Sequence, residues 1–64
     1  MIICQIFVDG YCKSERKWPA VPRIGESFQI SELVGVHRIA DVIWYDSNET
    51  LIARIHAHPA SDNR

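Results

Sequence analysis

The hydrophobic positions fall into four runs that favour β-strands, because each is rich in Ile, Val or aromatic residues without helical spacing. The runs are MIICQIFV (1–8), ESFQI (26–30), VHRIADVIWYD (36–46) and TLIARIHA (50–57). Asp9-Gly10 predicts a turn after the first run, and Pro59 ends the last one. SELVG, between the second and third runs, is a short connection or a weakly paired continuation.

Residues 11–25, YCKSERKWPAVPRIG, interrupt this strand pattern. Pro19, Pro22 and Gly25 exclude a regular helix and favour a long irregular connection. SERK supplies one helical turn at most. We therefore expect a long loop between the first strand and the second.

The third run carries the main architectural prediction. Its 11 residues at about 3.3 Å each span roughly 36 Å, whereas a compact domain of this length has a radius of gyration of about 11 Å. A strand longer than its body must curve, and we place the bend or bulge at Ala40 beside Asp41. Curved strands joined by tight hairpins predict an all-β fold in which a small antiparallel sheet closes into a partly open barrel.

Pairing the last two runs across an Asp46–Glu49 loop, with Asn48 in the left-handed conformation, assigns their two faces. Without a bulge, this register sets Asp41 opposite Arg54. The predicted core face holds Val36, Ala40, Val42, Trp44, Leu51, Ala53, Ile55 and Ala57. The opposite face holds His37, Ile39, Asp41, Ile43, Tyr45, Thr50, Ile52, Arg54, His56 and His58. That face has too much isoleucine for a solvated surface, so either the first strand covers it or a partner does.

The length of 64 residues gives one domain over 1–64, with 59–64 as a tail that frays. A hydrophobic content of 47% and a formal net charge of −1 argue against disorder and against a dominant polyanion-binding role. Cys4 and Cys12 lack zinc-knuckle spacing and are expected to be reduced thiols in a cytoplasm. The first run is too short to span a bilayer and lacks signal-peptide features, so we expect no membrane association.

The order PRIGESFQI, VHRIADVIWYD, turn and TLIARIHAH resembles the small SH3-like β-barrel proteins, which are common among bacterial, phage and mobile-element genes of unassigned function. The likeness rests on a Pro-x-x-Gly-acidic opener, Pro22 to Glu26, and on a long strand ending near Trp44-Tyr45. It implies a partly open SH3-like barrel of about five strands with no common catalytic set. In the better-known relatives the long loop after the first strand and the neighbouring hairpin loop form the binding surface, which implies such a role for residues 11–25.

Basic and aromatic residues interleave in that loop. They are Tyr11, Lys13, Arg16, Lys17, Trp18 and Arg23. Cations suit phosphates and flat rings suit bases, so this composition is one that single-stranded nucleic acid binding requires. The alternative is that Trp18 folds back to cap the open end of the barrel while the charges stay solvated.

Three histidines share one face in the predicted register: His37, His56 and His58. Three imidazoles give zinc three ligands and leave a fourth position open for water, which would permit hydrolytic chemistry. The alternative is that they are ordinary polar residues near a strand end.

No Ser/His/Asp set, phosphate-binding glycine loop or paired carboxylates appear, so we expect a non-enzymatic protein, with an oligomer-built active site left open. The favoured interpretation is a protein-binding module that uses the 11–25 loop and the sheet face. Trp18 would be the anchor, with Arg16, Lys17 and Arg23 as its charged rim. Tyr11 and the sheet-face residues Ile43, Tyr45 and Ile52 complete the candidate surface, which also suits a homo-oligomer interface.

Overall fold

The computed structural model describes residues 2–60, which form five β-strands. The strands are β1 (Ile2–Val8), β2 (Tyr11–Trp18), β3 (Ser27–Phe28), β4 (His37–Ser47) and β5 (Thr50–Pro59). The all-β prediction is confirmed. Within the described range there is no helix long and apolar enough to cross a bilayer.

The strands form one curled sheet in the order β2-β1-β5-β4-β3. The neighbours β1 and β5 are parallel, and the other three pairs are antiparallel. The sheet is therefore mixed, where a purely antiparallel one was predicted. It curls into an open half-barrel, in agreement with the predicted partly open barrel.

The prediction of a loop over residues 11–25 is wrong for its first half, because Tyr11–Trp18 is strand β2. Asp9 and Gly10 form the tight turn that starts it, with φ angles of 56° and 82°. An edge strand needs one partner and little burial, so β2 forms without the apolar run that marks a central strand. The two prolines that suggested a loop, Pro19 and Pro22, both follow the strand.

The β4–β5 hairpin has the predicted left-handed residue and the predicted bulge. Asn48 has a φ of 56° in the turn, and Ala40 is the extra residue where the register shifts between Ile39 and Asp41. The predicted register is wrong, because the loop has two residues and Ser47 pairs with Thr50. Asp41 consequently lies opposite His56, and His37 lies opposite Pro59.

The bulge decides which side of β4 faces the core. Beyond it, His37 and Ile39 turn to the concave face, where they are 4% and 1% exposed. The predicted core residues Val36 and Ala40 are exposed instead. The central core cluster consists of Cys4, Ile6, Ile39, Ala53 and Ile55.

Between the bulge and the hairpin turn, the predicted core residues do lie on the concave face, but not all of them are buried. Val42 is half-buried against the core. Trp44 and Leu51 remain 52% and 47% exposed, because β4 and β5 extend beyond the point where β1 pairs with Ile52. Ala53, Ile55 and Ala57 are buried as predicted.

The segment between β2 and β4 covers the concave face. Its apolar side chains that pack on the core are Val21, Phe28, Ile30 and Leu33, and Trp18 joins them from the end of β2. The predicted 26–30 strand is reduced to Ser27–Phe28. This covering segment packs over the concave face of the half-barrel and does not cover the convex face.

The last described residues, 59 and 60, remain attached to the sheet. Of the predicted frayed tail, Pro59 belongs to β5, and the Ala60 amide donates a hydrogen bond to the Val36 carbonyl at 2.9 Å. Residues 61–64, like Met1 of the predicted first strand, lie outside the described residues.

Candidate functional site

Trp18 and Arg16 lie on the concave side of β2. The Trp18 side chain is partly buried against the core. The Arg16 guanidinium spans the opening of the half-barrel, donating to Ser31 Oγ at 3.3 Å and forming an ion pair with Glu32. That guanidinium holds the pKa of the Glu32 carboxyl below its ordinary value. These two residues of the predicted binding loop thus hold the covering segment on the sheet.

The other basic and aromatic residues of 11–25 are not brought together. Tyr11 and Trp18 stand at the two ends of β2, so about 20 Å of strand separates them. Lys17 lies on the convex side, opposite Ile3. Arg23 lies beyond the strand, with its side chain 87% exposed and its Nε 3.8 Å from Glu26. The segment therefore presents no single basic and aromatic cluster.

The convex face does unite the predicted sheet-face residues Ile43, Tyr45 and Ile52. Tyr45 pairs directly with Ile52, which in turn pairs with Ile3 of β1. β1 lies beside β5 in the same sheet, so it extends this face instead of covering it. Phe7 lies further along the same face of β1, separated from Ile3 by Gln5. Ile43 and Tyr45 are 49% and 44% exposed, and with the half-buried Ile3 and Ile52 they form an apolar patch across three strands.

Stacked and cationic contacts organise the polar side chains on the convex face. The Arg54 guanidinium lies over the Tyr45 ring, 4.6 Å from its centroid. The His56 imidazole stacks on Phe7 with centroids 5.1 Å apart. Arg54 Nε is buried without a hydrogen-bond partner among the described residues. The convex face thus has an apolar patch, and polar side chains pack against its aromatic rings.

The three histidines do not converge. His37 is buried on the concave side with its ring centroid 6.1 Å from that of Phe28, whereas His56 lies on the convex side. The exposed His58 has its Nδ1 3.2 Å from the Pro59 carbonyl. Among residues 2–60 no three His, Cys, Asp or Glu side chains are grouped to hold a metal. The bulge at Ala40 separates His37 from the other two, because it reverses the face on which His37 lies.

A groove on the concave side was missed from the sequence. It has a volume of about 520 Å³ and is lined by Val21, Pro22, Arg23, Ile24, Val42 and Trp44. The covering segment forms one wall and the distal part of β4 the other. Trp44 is the residue that could have indicated this groove. The sequence pattern placed it in the core, whereas its side chain is 52% exposed.

Of the two cysteine thiols, Cys4 is fully buried in the core and Cys12 is exposed on β2. Burial raises the pKa of the Cys4 thiol, so this group stays protonated near neutral pH. A buried protonated thiol behaves as a small hydrophobic residue, and Cys4 therefore belongs to the core.

Comparison of the chain with protein-family models, with curated proteins and with solved structures found no match in any of the three. A function for this chain therefore rests on the chemistry of its own surfaces.

Proposed function

We propose that this protein is a non-enzymatic binding module that recognises another protein through its convex sheet face. The observation that supports this best is the apolar centre formed by Ile3, Ile52, Ile43 and Tyr45, which the covering segment leaves open. A sheet normally buries at least one apolar face, and this sheet has apolar residues on both. Exposed apolar surface that is contiguous, rather than scattered, marks an interaction site.

The rim of this face suits a protein partner. Lys17 ends the row that runs through Ile3 and Ile52 to Tyr45, and Glu15 and Arg54 belong to the neighbouring row. Charges of both signs around an apolar and aromatic centre are the usual anatomy of a protein interface. Tyr45 takes the role of aromatic anchor that the sequence suggested for Trp18.

The test is a pull-down from a bacterial lysate with tagged protein, using two apolar-to-lysine variants. Ile52→Lys places a charge at the centre of the convex face, whereas Val34→Lys places the same charge on the covering segment, where Val34 is 98% exposed. We expect the partner to bind the wild type and Val34→Lys, and to be lost with Ile52→Lys. Circular dichroism establishes that both variants are folded.

Two outcomes would overturn the proposal. Retention of the partner by folded Ile52→Lys would show that the convex face is not the binding surface. A signal that disappears after nuclease treatment and falls steeply with salt would instead assign single-stranded nucleic acid as the ligand.

A further inference from the structure

The outer edge of β4 is unpaired along its distal half. β3 pairs only with His37 and Arg38, and the last backbone bonds on that side join Ile39 to Gly25 and Glu26. From Asp41 to Ser47 no described strand lies beside it. An unpaired edge presents backbone donors and acceptors that another strand can use.

The hydrogen-bonding pattern of the hairpin identifies which groups point outward. Ser47 and Thr50 close the two-residue turn and form a hydrogen-bonded pair. Pairs alternate along an antiparallel ladder, so the N–H groups of Val42, Trp44 and Asp46 are directed away from β5. The Val42 N–H agrees with this, since it donates to the Asp41 carboxylate at 2.9 Å and not to a strand. Among residues 2–60, the Trp44 and Asp46 amides have no partner and remain as edge donors.

The two edges of the sheet differ in how they resist pairing. The exposed side chains of β2 include Lys13, Glu15 and Lys17, and charged side chains on an edge deter the addition of another strand. The free part of β4 has Ile43, Trp44 and Tyr45 in succession, each between 44% and 52% exposed. The β4 edge is therefore the one built to accept a strand.

We propose that a second copy of this chain occupies this edge, with the two β4 strands antiparallel and centred on Trp44. In this register, each Trp44 amide bonds the Trp44 carbonyl of the other copy, and each Asp46 amide bonds the Val42 carbonyl. The Val42 N–H completes this pair by donating to the Asp46 carbonyl, and it gives up its bond to the Asp41 carboxylate to do so. Ile43 of one copy then lies beside Tyr45 of the other on the convex side, and the two sheets become continuous.

Side-chain complementarity supports a two-fold contact, which requires a surface to be its own complement. The concave side of each edge carries both a protruding indole, Trp44, and an apolar groove against which it can pack. The same register sets Asp46 opposite Val42 of the second copy, next to which Arg23 lines the groove. Asp46 of each copy thereby faces Arg23 of the other. The existing contact of Arg23 with Glu26 is exposed and weak, so it does not hold the guanidinium back.

A charge swap measured by sedimentation equilibrium tests this pairing. We expect a wild-type dimer, with Asp46→Arg and Arg23→Glu each raising its dissociation constant at least about tenfold by placing like charges together. The double variant restores the pair with reversed polarity, so its dissociation constant should return to within about threefold of wild type. Ile52→Lys, which alters the convex face away from this edge, leaves the dimer intact and separates this contact from the proposed partner surface.

A backbone variant gives an independent measurement. Trp44→Pro removes an outward N–H without breaking a bond to β5, so the monomer should fold and the dimer should be lost. A wild type that remains monomeric at all concentrations would overturn the proposal. So would a dimer that withstands both single charge changes and Trp44→Pro, or a double variant no tighter than the single ones.

Discussion

At the scale of single residues, the Arg16–Glu32 ion pair links stability to pH. The pKa of Glu32 in the folded protein is lowered, chiefly by the hydrogen bond from Arg16. The folded state therefore binds this proton less readily than the unfolded state does. The stabilisation is fully present above the ordinary glutamate pKa of about 4.3, and it is lost as the pH falls through the lower pKa of the folded state.

We expect Glu32→Gln to lower the melting temperature at pH 7 and to have progressively less effect as the pH falls below about 4, because the wild-type carboxylate becomes protonated as the pH passes through its lowered pKa. Thermal unfolding followed by circular dichroism across this range measures the difference. Glu49→Gln, at the exposed hairpin turn, is the charge-matched control. A constant difference between Glu32→Gln and wild type at all pH values would show that the ion pair does not hold the covering segment.

The sequence was informative about residues whose role is local. Asn48 was assigned to the left-handed position because asparagine tolerates it, and its φ of 56° confirms the assignment. The roles of Trp18 and Arg16 depend on where the covering segment lies in the fold, and no local sequence pattern encodes that position. Some of the basic and aromatic residues that suggested a ligand-binding loop instead make contacts within the chain.

At the scale of elements, the bulge at Ala40 determines the fold of β4. Ile39 and Ile43 are four positions apart, and without a bulge side chains at such spacing share a face. Instead Ile39 is 1% exposed in the core, and Ile43 is 49% exposed on the convex face. Sequence reasoning located the bulge from strand length, but it assigned the two faces in a register without a bulge, so it missed the change of face at His37 and Ile39.

The two isoleucines should therefore respond differently to truncation. Ile39→Val is expected to cost about 0.5–1.5 kcal/mol of unfolding free energy and Ile39→Ala about 2–5 kcal/mol, since both remove buried methyl groups. Ile43→Val and Ile43→Ala are each expected to stay within about 1 kcal/mol, since they are on the surface. Urea unfolding of the monomer, at a concentration where sedimentation shows no dimer, provides the comparison. Equal losses at both positions would place them on one face and contradict the bulge.

Strand β2 shows a second limit of sequence patterns. Its residues YCKSERKW lack an apolar run, and their partial burial at Ser14, Arg16 and Trp18 becomes meaningful only once β1 lies alongside. β1 and β5, buried at alternate positions in the interior of the sheet, were recognised from composition. Edge strands depend on a partner for their identity, so local propensity predicts them least well.

At the scale of the whole molecule, the two edges of the sheet differ, because exposed apolar side chains lie along the distal half of β4 and charged ones lie along β2. A chain of 64 residues has a small core, and association adds buried surface to it. Pairing through β4 alone is two-fold and closed, so it yields a dimer instead of a filament. It also joins the convex faces of two copies, so that a protein partner would meet one surface about twice as wide.

Hydrogen exchange along β4 should record this assembly amide by amide. The Ile43 and Tyr45 amides bond β5 in each chain, so we expect them to be protected at every protein concentration. The Trp44 and Asp46 amides have no partner within the described part of the chain, so they should exchange quickly at low concentration and become protected as the dimer forms. Exchange measured by nuclear magnetic resonance at several concentrations would show this alternation. If Trp44 and Asp46 stay unprotected where sedimentation shows a dimer, the two copies meet through another surface, for which the convex face around Tyr45 is then the first candidate.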